Sequence, residues 1–118
     1  MNKYIRLLTI LPIFCFSSFG YTHELETSVA SNERTPSYTL RDQHRNPYEI
    51  LTFFGIESDM KIVELSPGGG WYTEILANYL HEPGHLIAAH FDKNSERAYF
   101  KKSRQAFEMK VAEKSMYQ

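Results

Sequence analysis

Residues 61–76 read KIVELSPGGGWYTEIL, and this stretch decides the fold. The run from Lys61 to Leu65 is apolar apart from its ends, is bounded by turn residues and is too short for a helix. It predicts a strand buried on both faces, as in a parallel sheet. Ser-Pro-Gly-Gly-Gly follows directly, and apolar positions between Trp71 and Leu80 then recur at helical spacing. A strand therefore passes into a helix through three consecutive glycines.

A second apolar run, His85 to Ala89, follows this helix. Strand, turn, helix and strand fit into about 30 residues, the size of one βαβ unit. The last segment, Ser95 to about Glu113, predicts a second crossover helix, because its aromatic and apolar residues follow a helical period. These residues are Tyr99, Phe100, Phe107 and Val111. The sequence thus predicts an α/β fold of parallel strands joined by crossover helices, which the family resemblance given below implies to be a partial Rossmann-like unit.

Upstream of the strand, residues 41–55 predict a short helix with both ends encoded. Asn46 can cap this helix, Pro47 fits its first position, and Glu49 lies where a capping box needs a carboxylate. We expect Gly55 to end the helix in the left-handed conformation. The expected buried stripe consists of Ile50, Leu51, Phe53 and Phe54.

Residues 1–20, MNKYIRLLTILPIFCFSSFG, have the layout of a secretory signal peptide, with a basic start, an apolar run and small residues before a cleavage site after Gly20. The apolar run, Leu7 to Phe16, is shorter than the roughly 20 residues of a spanning helix, so cleavage is expected rather than a stable membrane anchor. The only cysteine, Cys15, leaves with this segment. The mature chain therefore forms no disulfide, which suits an exported, periplasmic protein.

Charge patterning gives no sign of an anionic partner. Removal of residues 1–20 takes away two of the 13 basic residues and none of the 14 acidic ones, so the formal charge falls from −1 to −3. Residues 93–118 hold seven basic and three acidic residues, but these are spread around a helix and predict a solvated face rather than a nucleic-acid patch. Residues 21–40 are polar without an apolar period and predict a flexible leader before a domain at 41–118.

The three glycines have two possible explanations. In a doubly wound sheet, the first strand-to-helix turn lies at the carboxyl edge, where glycines let a cofactor approach the backbone. Alternatively, Gly68, Gly69 and Gly70 only form a tight turn. A dinucleotide fingerprint is not matched, because Thr73 stands at the place of its third glycine. A phosphate loop is not matched either, because Trp71 follows the last glycine instead of lysine.

The stretch resembles the first motif of the class I S-adenosylmethionine-dependent methyltransferases, in which an acidic residue ends the first strand and a Gly-x-Gly turn follows. Residues 38–112 are also similar to a family of exported bacterial proteins called predicted methyltransferases. The similarity is carried by RDQHRNPYEILTFFGI, KIVELSPGGGWYTEILANYL, GHLIAAHFD and YFKKSRQAFE. The resemblance implies S-adenosyl-L-methionine as cofactor and transfer of its methyl group to an acceptor that the sequence does not identify.

The resemblance also implies which residues lie beneath the methionine and ribose part of the cofactor. They are Glu64, Ser66, Pro67, Gly68, Gly69 and Gly70. Ser66 replaces the first glycine of the superfamily, and His90 stands where an acidic residue usually binds the ribose hydroxyls. Asp92 can take that role, because side chains two apart in an extended segment face the same way. A carboxylate and open backbone amides suit a ligand with a sulfonium centre and an amino acid group.

Two other polar groups could bind a metal ion or a ligand. HEPGH, residues 81–85, matches the zinc protease pattern H-E-x-x-H, but its proline and glycine break the helix on which that pattern depends, so no metal site is expected. Arg41, Asp42 and Arg45 either pair with one another at the entry to the first helix or close over the cofactor or substrate. The histidines without ligand spacing are His23, His44 and His90.

Size limits what the chain can do as an enzyme. Typical sheets have about five or six strands, whereas this chain offers two, and such a unit buries only about 60 to 65% of its unfolded surface. We therefore expect the cofactor-binding amino-terminal fragment of a methyltransferase-like protein, without its acceptor half. Because the cofactor is made in the cytoplasm, an exported binding or interaction protein that keeps the fold without turnover is one alternative. A short protein that completes its sheet by oligomerising is the other.

Overall fold

A computed structural model describes residues 20–114 and Tyr117, with side chains from Glu24 onward. Within these residues the chain forms six helices and two strands. They are α1 (Gly20–Val29), α2 (Pro36–Thr39), α3 (Asp42–Arg45), α4 (Pro47–Phe53), β1 (Lys61–Leu65), α5 (Trp71–Tyr79), β2 (His85–Ala89) and α6 (Ala98–Glu113). The predicted signal peptide lies outside the described residues apart from Gly20.

The two strands form a parallel pair, in which Lys61 lies opposite His85 and Leu65 lies opposite Ala89. Parallel strands need a crossover connection, and α5 supplies it. The predicted α/β class, with parallel strands and a crossover helix, is confirmed at this level. The helix predicted at the end of the chain is α6, which begins at Ala98 rather than at Ser95. In the described residues no third strand follows it, so a crossover role for α6 is not shown.

The core lies on one face of the sheet, between α5 and the helices that precede β1. Its buried apolar residues are Leu25, Leu51, Trp71, Ile75, Leu76 and Tyr79. From the sheet, Ile62 and Leu86 pack against this cluster. On the opposite face Val63, Leu65 and Ile87 are 55%, 77% and 50% exposed. The prediction that β1 is buried on both faces was therefore wrong, because the described residues place helices on one face only.

Residues 21–40 are not the flexible leader that the sequence predicted. Residues 20–29 form α1, and Leu25 on this helix is only 3% exposed. Val29, one turn further, packs against the same core. Arg34 is buried and forms a bidentate pair with Asp42, with N–O distances of 2.6 and 3.0 Å. The apolar pair four residues apart and the buried ion pair are two of the contacts that join this polar segment to the domain.

The helix before β1 has the predicted position but not the predicted details. Pro47 is its first residue, and Gly55 adopts a φ of +64° just beyond its end, both as predicted. Asn46 occupies the cap position in a left-handed conformation and makes no side-chain capping bond, so its predicted capping role was wrong. The predicted stripe is mostly exposed, since Phe53 is 86% exposed while Leu51 is 5% exposed.

Candidate functional site

The glycine turn lies at the carboxyl end of β1, between the strand and α5, as the sequence predicted. Ser66 extends the ladder by donating its N–H to the carbonyl of Ala89 at 2.9 Å. The backbone then takes positive φ angles at Ser66, Gly68 and Gly70, of +54°, +59° and +88°. Such angles are costly for residues with a Cβ, so Gly68 and Gly70 have a conformational reason to be glycine.

The three glycines differ in what surrounds them. A Cβ added at Gly68 would meet nothing within 4 Å. At Gly69 it would collide with the hydroxyl of Tyr38, and at Gly70 it would lie 3.1 Å from the ring of Phe107. Space for a side chain is therefore open at Gly68, taken by the Tyr38 hydroxyl at the exposed Gly69, and filled by neighbouring side chains at the buried Gly70.

Two side chains bind the carbonyl oxygen of Gly69. Tyr38 donates its hydroxyl to this oxygen at 2.8 Å, and Lys110 donates its ammonium at 3.0 Å. The Lys110 ammonium also lies 4.1 Å from the centre of the Tyr38 ring, which is cation–π geometry. Neither residue was predicted to belong to the site, since both contacts join residues at least 31 positions apart.

Glu64 lies at the end of β1, on the face that α5 covers, and is half-buried. Its Oε2 accepts a hydrogen bond of 2.6 Å from the hydroxyl of Thr73, the residue that stands at the third-glycine position. Burial raises the pKa of Glu64 above its ordinary value, against the Thr73 bond and the nearby His90, which lower it. The strand-end carboxylate is thus fixed by the helix behind the turn.

His90 is joined directly to the glycine turn. Its Nδ1 accepts the N–H of Phe91 at 2.7 Å, and its Nε2 lies 3.0 Å from the carbonyl oxygen of Gly68. Because Nδ1 accepts, the ring proton belongs on Nε2, which donates to that carbonyl. The ring centre also lies 5.1 Å from that of Phe107. The end of β2 and the turn after β1 are therefore held together by this side chain.

Asp92 has a different surrounding. It is exposed, and its Oδ1 accepts the N–H of Asn94 at 2.9 Å, which shapes the loop before α6. Among the described residues no hydrogen bond joins Asp92 to the glycine turn. Of the two predicted ribose-binding residues, the structure brings His90 to the turn and leaves Asp92 in the loop.

A buried carboxylate that the sequence did not single out anchors the surroundings of the turn. Glu74 is fully buried and accepts bonds from Thr35 N–H at 2.8 Å and Thr35 Oγ1 at 2.5 Å. Its Oε1 also lies 2.6 Å from the ammonium of Lys110 and 3.2 Å from that of Lys114. Burial acts to raise the pKa of Glu74, but the bonds from Lys110 and Thr35 outweigh it and leave the pKa lowered.

Arg41, Asp42 and Arg45 do not pair with one another. Asp42 binds Arg34, and the guanidinium of Arg45 lies 4.9 Å from the centre of the Trp71 ring. Because Trp71 is the first residue of α5, Arg45 lies close to the end of the glycine turn. The interpretation that this group fixes itself internally was therefore wrong.

Several cavities lie around these elements, and two of them contrast in size and lining. A cavity of about 220 Å³ lies between β2 and α6 beside His90, with Ala88, Phe107 and Val111 among its lining residues. An open groove of about 780 Å³ runs along α1 and the residues after it and is lined mainly by polar side chains. The smaller cavity is the one next to the glycine turn.

The HEPGH segment is not helical, since α5 ends at Tyr79 and residues 81–84 form the loop before β2. Within the described residues, no group of three or more His, Cys, Asp or Glu side chains could hold a metal ion. No helix in the same part of the chain has the length and hydropathy that crossing a lipid bilayer requires.

Comparisons with known proteins do not place the chain in a family. A scan against family models, a search of curated proteins and a search of solved structures each find no significant match. The functional argument therefore rests on the residues of the turn and their surroundings.

Proposed function

We propose that the chain carries the cofactor-binding part of an exported class I S-adenosylmethionine-dependent methyltransferase, built as a partial Rossmann-like unit. The observation that supports this most is the position and conformation of Gly68. It lies at the carboxyl edge of a parallel strand, where ligands of α/β folds bind, and it faces open space in a conformation that excludes most side chains.

The residues around Gly68 suit the adenosyl cofactor. Glu64 offers a half-buried carboxylate at the strand end, a partner for ribose hydroxyls or for the ammonium of the methionine group. His90 is held against the Gly68 carbonyl and lines the cavity of about 220 Å³. The cofactor supplies an electrophilic methyl group on a positively charged sulfur. These residues bind and orient it for in-line transfer to an acceptor, a reaction driven largely by positioning.

An exported binding or interaction protein that keeps the fold without turnover is a second candidate. It is favoured by the packing of Gly69 and Gly70 beneath Tyr38 and Phe107, which accounts for two glycines without a ligand. The open apolar face of the sheet, with Val63 and Leu65, also suits a partner surface. The two candidates differ in whether Gly68 faces a small molecule.

Replacement of Gly68 by asparagine separates the candidates. Asparagine tolerates a φ near +60°, so Gly68→Asn keeps the turn while it places a side chain in the open space. Gly55→Asn is a matched control, because Gly55 has a φ of +64°, also faces open space and lies after α4. The assay is isothermal titration of the full chain with S-adenosylmethionine and S-adenosylhomocysteine.

The methyltransferase proposal expects both ligands to bind the wild-type chain and Gly55→Asn equally well. Gly68→Asn should bind at least about tenfold more weakly, which corresponds to a loss of 1.4 kcal/mol. Thermal unfolding of the two variants should be similar, since both replace a left-handed glycine. Absence of binding to all three chains favours the second candidate.

Export is tested separately by mass spectrometry of the mature amino terminus. The proposal expects the exported chain to begin at Tyr21, after cleavage behind Gly20. An exported chain that retains Met1 contradicts it.

A further inference from the structure

Three side chains converge on the second half of the glycine turn, and we call them the cover: Tyr38, Phe107 and Lys110. Tyr38 and Lys110 both donate to the Gly69 carbonyl, and Phe107 packs at Gly70. They come from α2 and α6, which lie on either side of the turn in the sequence. The cover therefore closes part of the edge at which the proposed cofactor binds.

Helix α6, which supplies two of these residues, buries little apolar surface against the domain. Phe107 is the single buried residue among the sixteen of α6, all of which are described. Near its end, α6 is fixed mainly by polar contacts: Lys110 to Glu74, and Lys114 to Glu74 and the carbonyl of Glu33. Elements with little buried apolar surface open at a lower free energy than the core does.

We propose that the cover is a closing element that limits access of an adenosyl ligand to Gly69 and Gly70, and that α6 moves aside when a ligand seated at the open Gly68 engages these two glycines. This inference rests on the proposed function, since it concerns the same site. If the ligand makes its full contact with the turn only in the open form, the apparent affinity is reduced by the fraction of molecules that are open. Removal of a contact that holds the cover closed should then raise the affinity.

Lys110→Met tests this, because methionine keeps much of the apolar stem and removes the ammonium that binds Gly69 and Glu74. Lys102→Met is the matched control, since Lys102 is an exposed lysine on the same helix. Tyr38→Phe is a second test that leaves Glu74 and its lysines intact. Isothermal titration with S-adenosylhomocysteine should show about three- to tenfold tighter binding for Tyr38→Phe, the change expected for one hydrogen bond. The gain for Lys110→Met should be at least as large, because this variant removes two contacts. Lys102→Met should bind as the wild type does.

Native-state hydrogen exchange gives a readout that needs no ligand. Amides of α6 should exchange through a local opening well before those of α5. Lys110→Met should accelerate exchange in α6 by a larger factor than in α5, where Glu74 keeps Lys114 and Thr35 as partners. If the amides of both helices exchange only through global unfolding, the cover proposal is wrong, whatever the titrations show. If the wild type binds but Lys110→Met and Tyr38→Phe bind equally or more weakly, the cover proposal fails and the proposed function stands. Failure of every chain to bind overturns both.

Discussion

The two helices that follow the strands, α5 and α6, are held in opposite ways. Six of the nine residues of α5 are buried, whereas one of the sixteen residues of α6 is buried. Helix α5 contributes four of the six residues of the apolar core, while α6 leaves Tyr99 and Met109 72% and 62% exposed. One helix is the framework behind the glycine turn. The other is a peripheral element placed over it by one buried aromatic side chain, Phe107, and by polar contacts.

The largest expected effect tests the framework role of α5. Ile75 is fully buried, so Ile75→Ala should lower the free energy of unfolding by about 2 to 5 kcal/mol. Met109→Ala on α6 should change it by less than about 0.5 kcal/mol, because that side chain is mostly exposed. Urea unfolding followed by tryptophan fluorescence measures both. Comparable losses for the two variants contradict the division between the helices.

A smaller effect concerns Glu74, where the two helices meet. Glu74→Gln should lower the free energy of unfolding by about 1 to 3 kcal/mol, because it removes the buried charged group that accepts hydrogen bonds from Thr35 and Lys110. Since the pKa of Glu74 is lowered in the folded protein, its carboxylate contributes stability above an unfolded pKa near 4.5. That contribution disappears as the pH falls below this value.

The control for Glu74→Gln is the dependence of the free energy of unfolding on pH. Wild-type stability should decline from about pH 4.5 downward, and the Glu74→Gln profile should be flatter in the same range. Parallel profiles for the two chains, displaced by a constant amount, contradict an ionised Glu74 in the folded protein.

The smallest expected effect on stability is that of Glu64, and its sign is opposite to that of Glu74. Burial raises the pKa of Glu64, so the folded state binds this proton more tightly than the unfolded state does. Its ionisation therefore lowers stability as the pH rises from the unfolded pKa through the folded one. Glu64→Gln should leave stability at pH 7 unchanged or raised, in contrast to Glu74→Gln, because glutamine can still accept from Thr73.

If Glu64→Gln binds S-adenosylhomocysteine more weakly while its stability is unchanged, the negative charge of Glu64 serves ligand binding. A stability loss as large as that of Glu74→Gln instead makes Glu64 a structural residue. Chemical denaturation at pH 7 and isothermal titration distinguish these outcomes.

The βαβ unit could be predicted because its signals are local. Apolar runs, a proline and glycines as turn residues, and a helical period lie within residues 61–89, and each element formed at or near its predicted bounds. Exposure was harder to predict. Val63 and Ile87 have the side chains of a doubly covered strand, but the sequence of a strand does not state how many of its faces are packed.

The surroundings of the turn could not be predicted for a different reason. Glu74 lies in the first turn of α5, where an acidic residue is favoured even on an exposed surface, so its burial has no local signature. Its partners Thr35 and Lys114 lie 39 and 40 positions away. Contacts between polar residues this far apart leave no periodic pattern. Helix α1 was missed because Leu25 and Val29, which mark its apolar side from Glu24 onward, stand among polar residues.

The central claim, that the open half of the glycine turn binds an adenosyl ligand, is tested most directly by nuclear magnetic resonance. The ¹⁵N-labelled full chain is titrated with S-adenosylhomocysteine while the backbone amide shifts are followed. The account predicts saturable shifts at Ser66, Gly68 and His90, with little change at Gly55 and along α1. Shifts confined to other regions, or none at millimolar ligand, would contradict it.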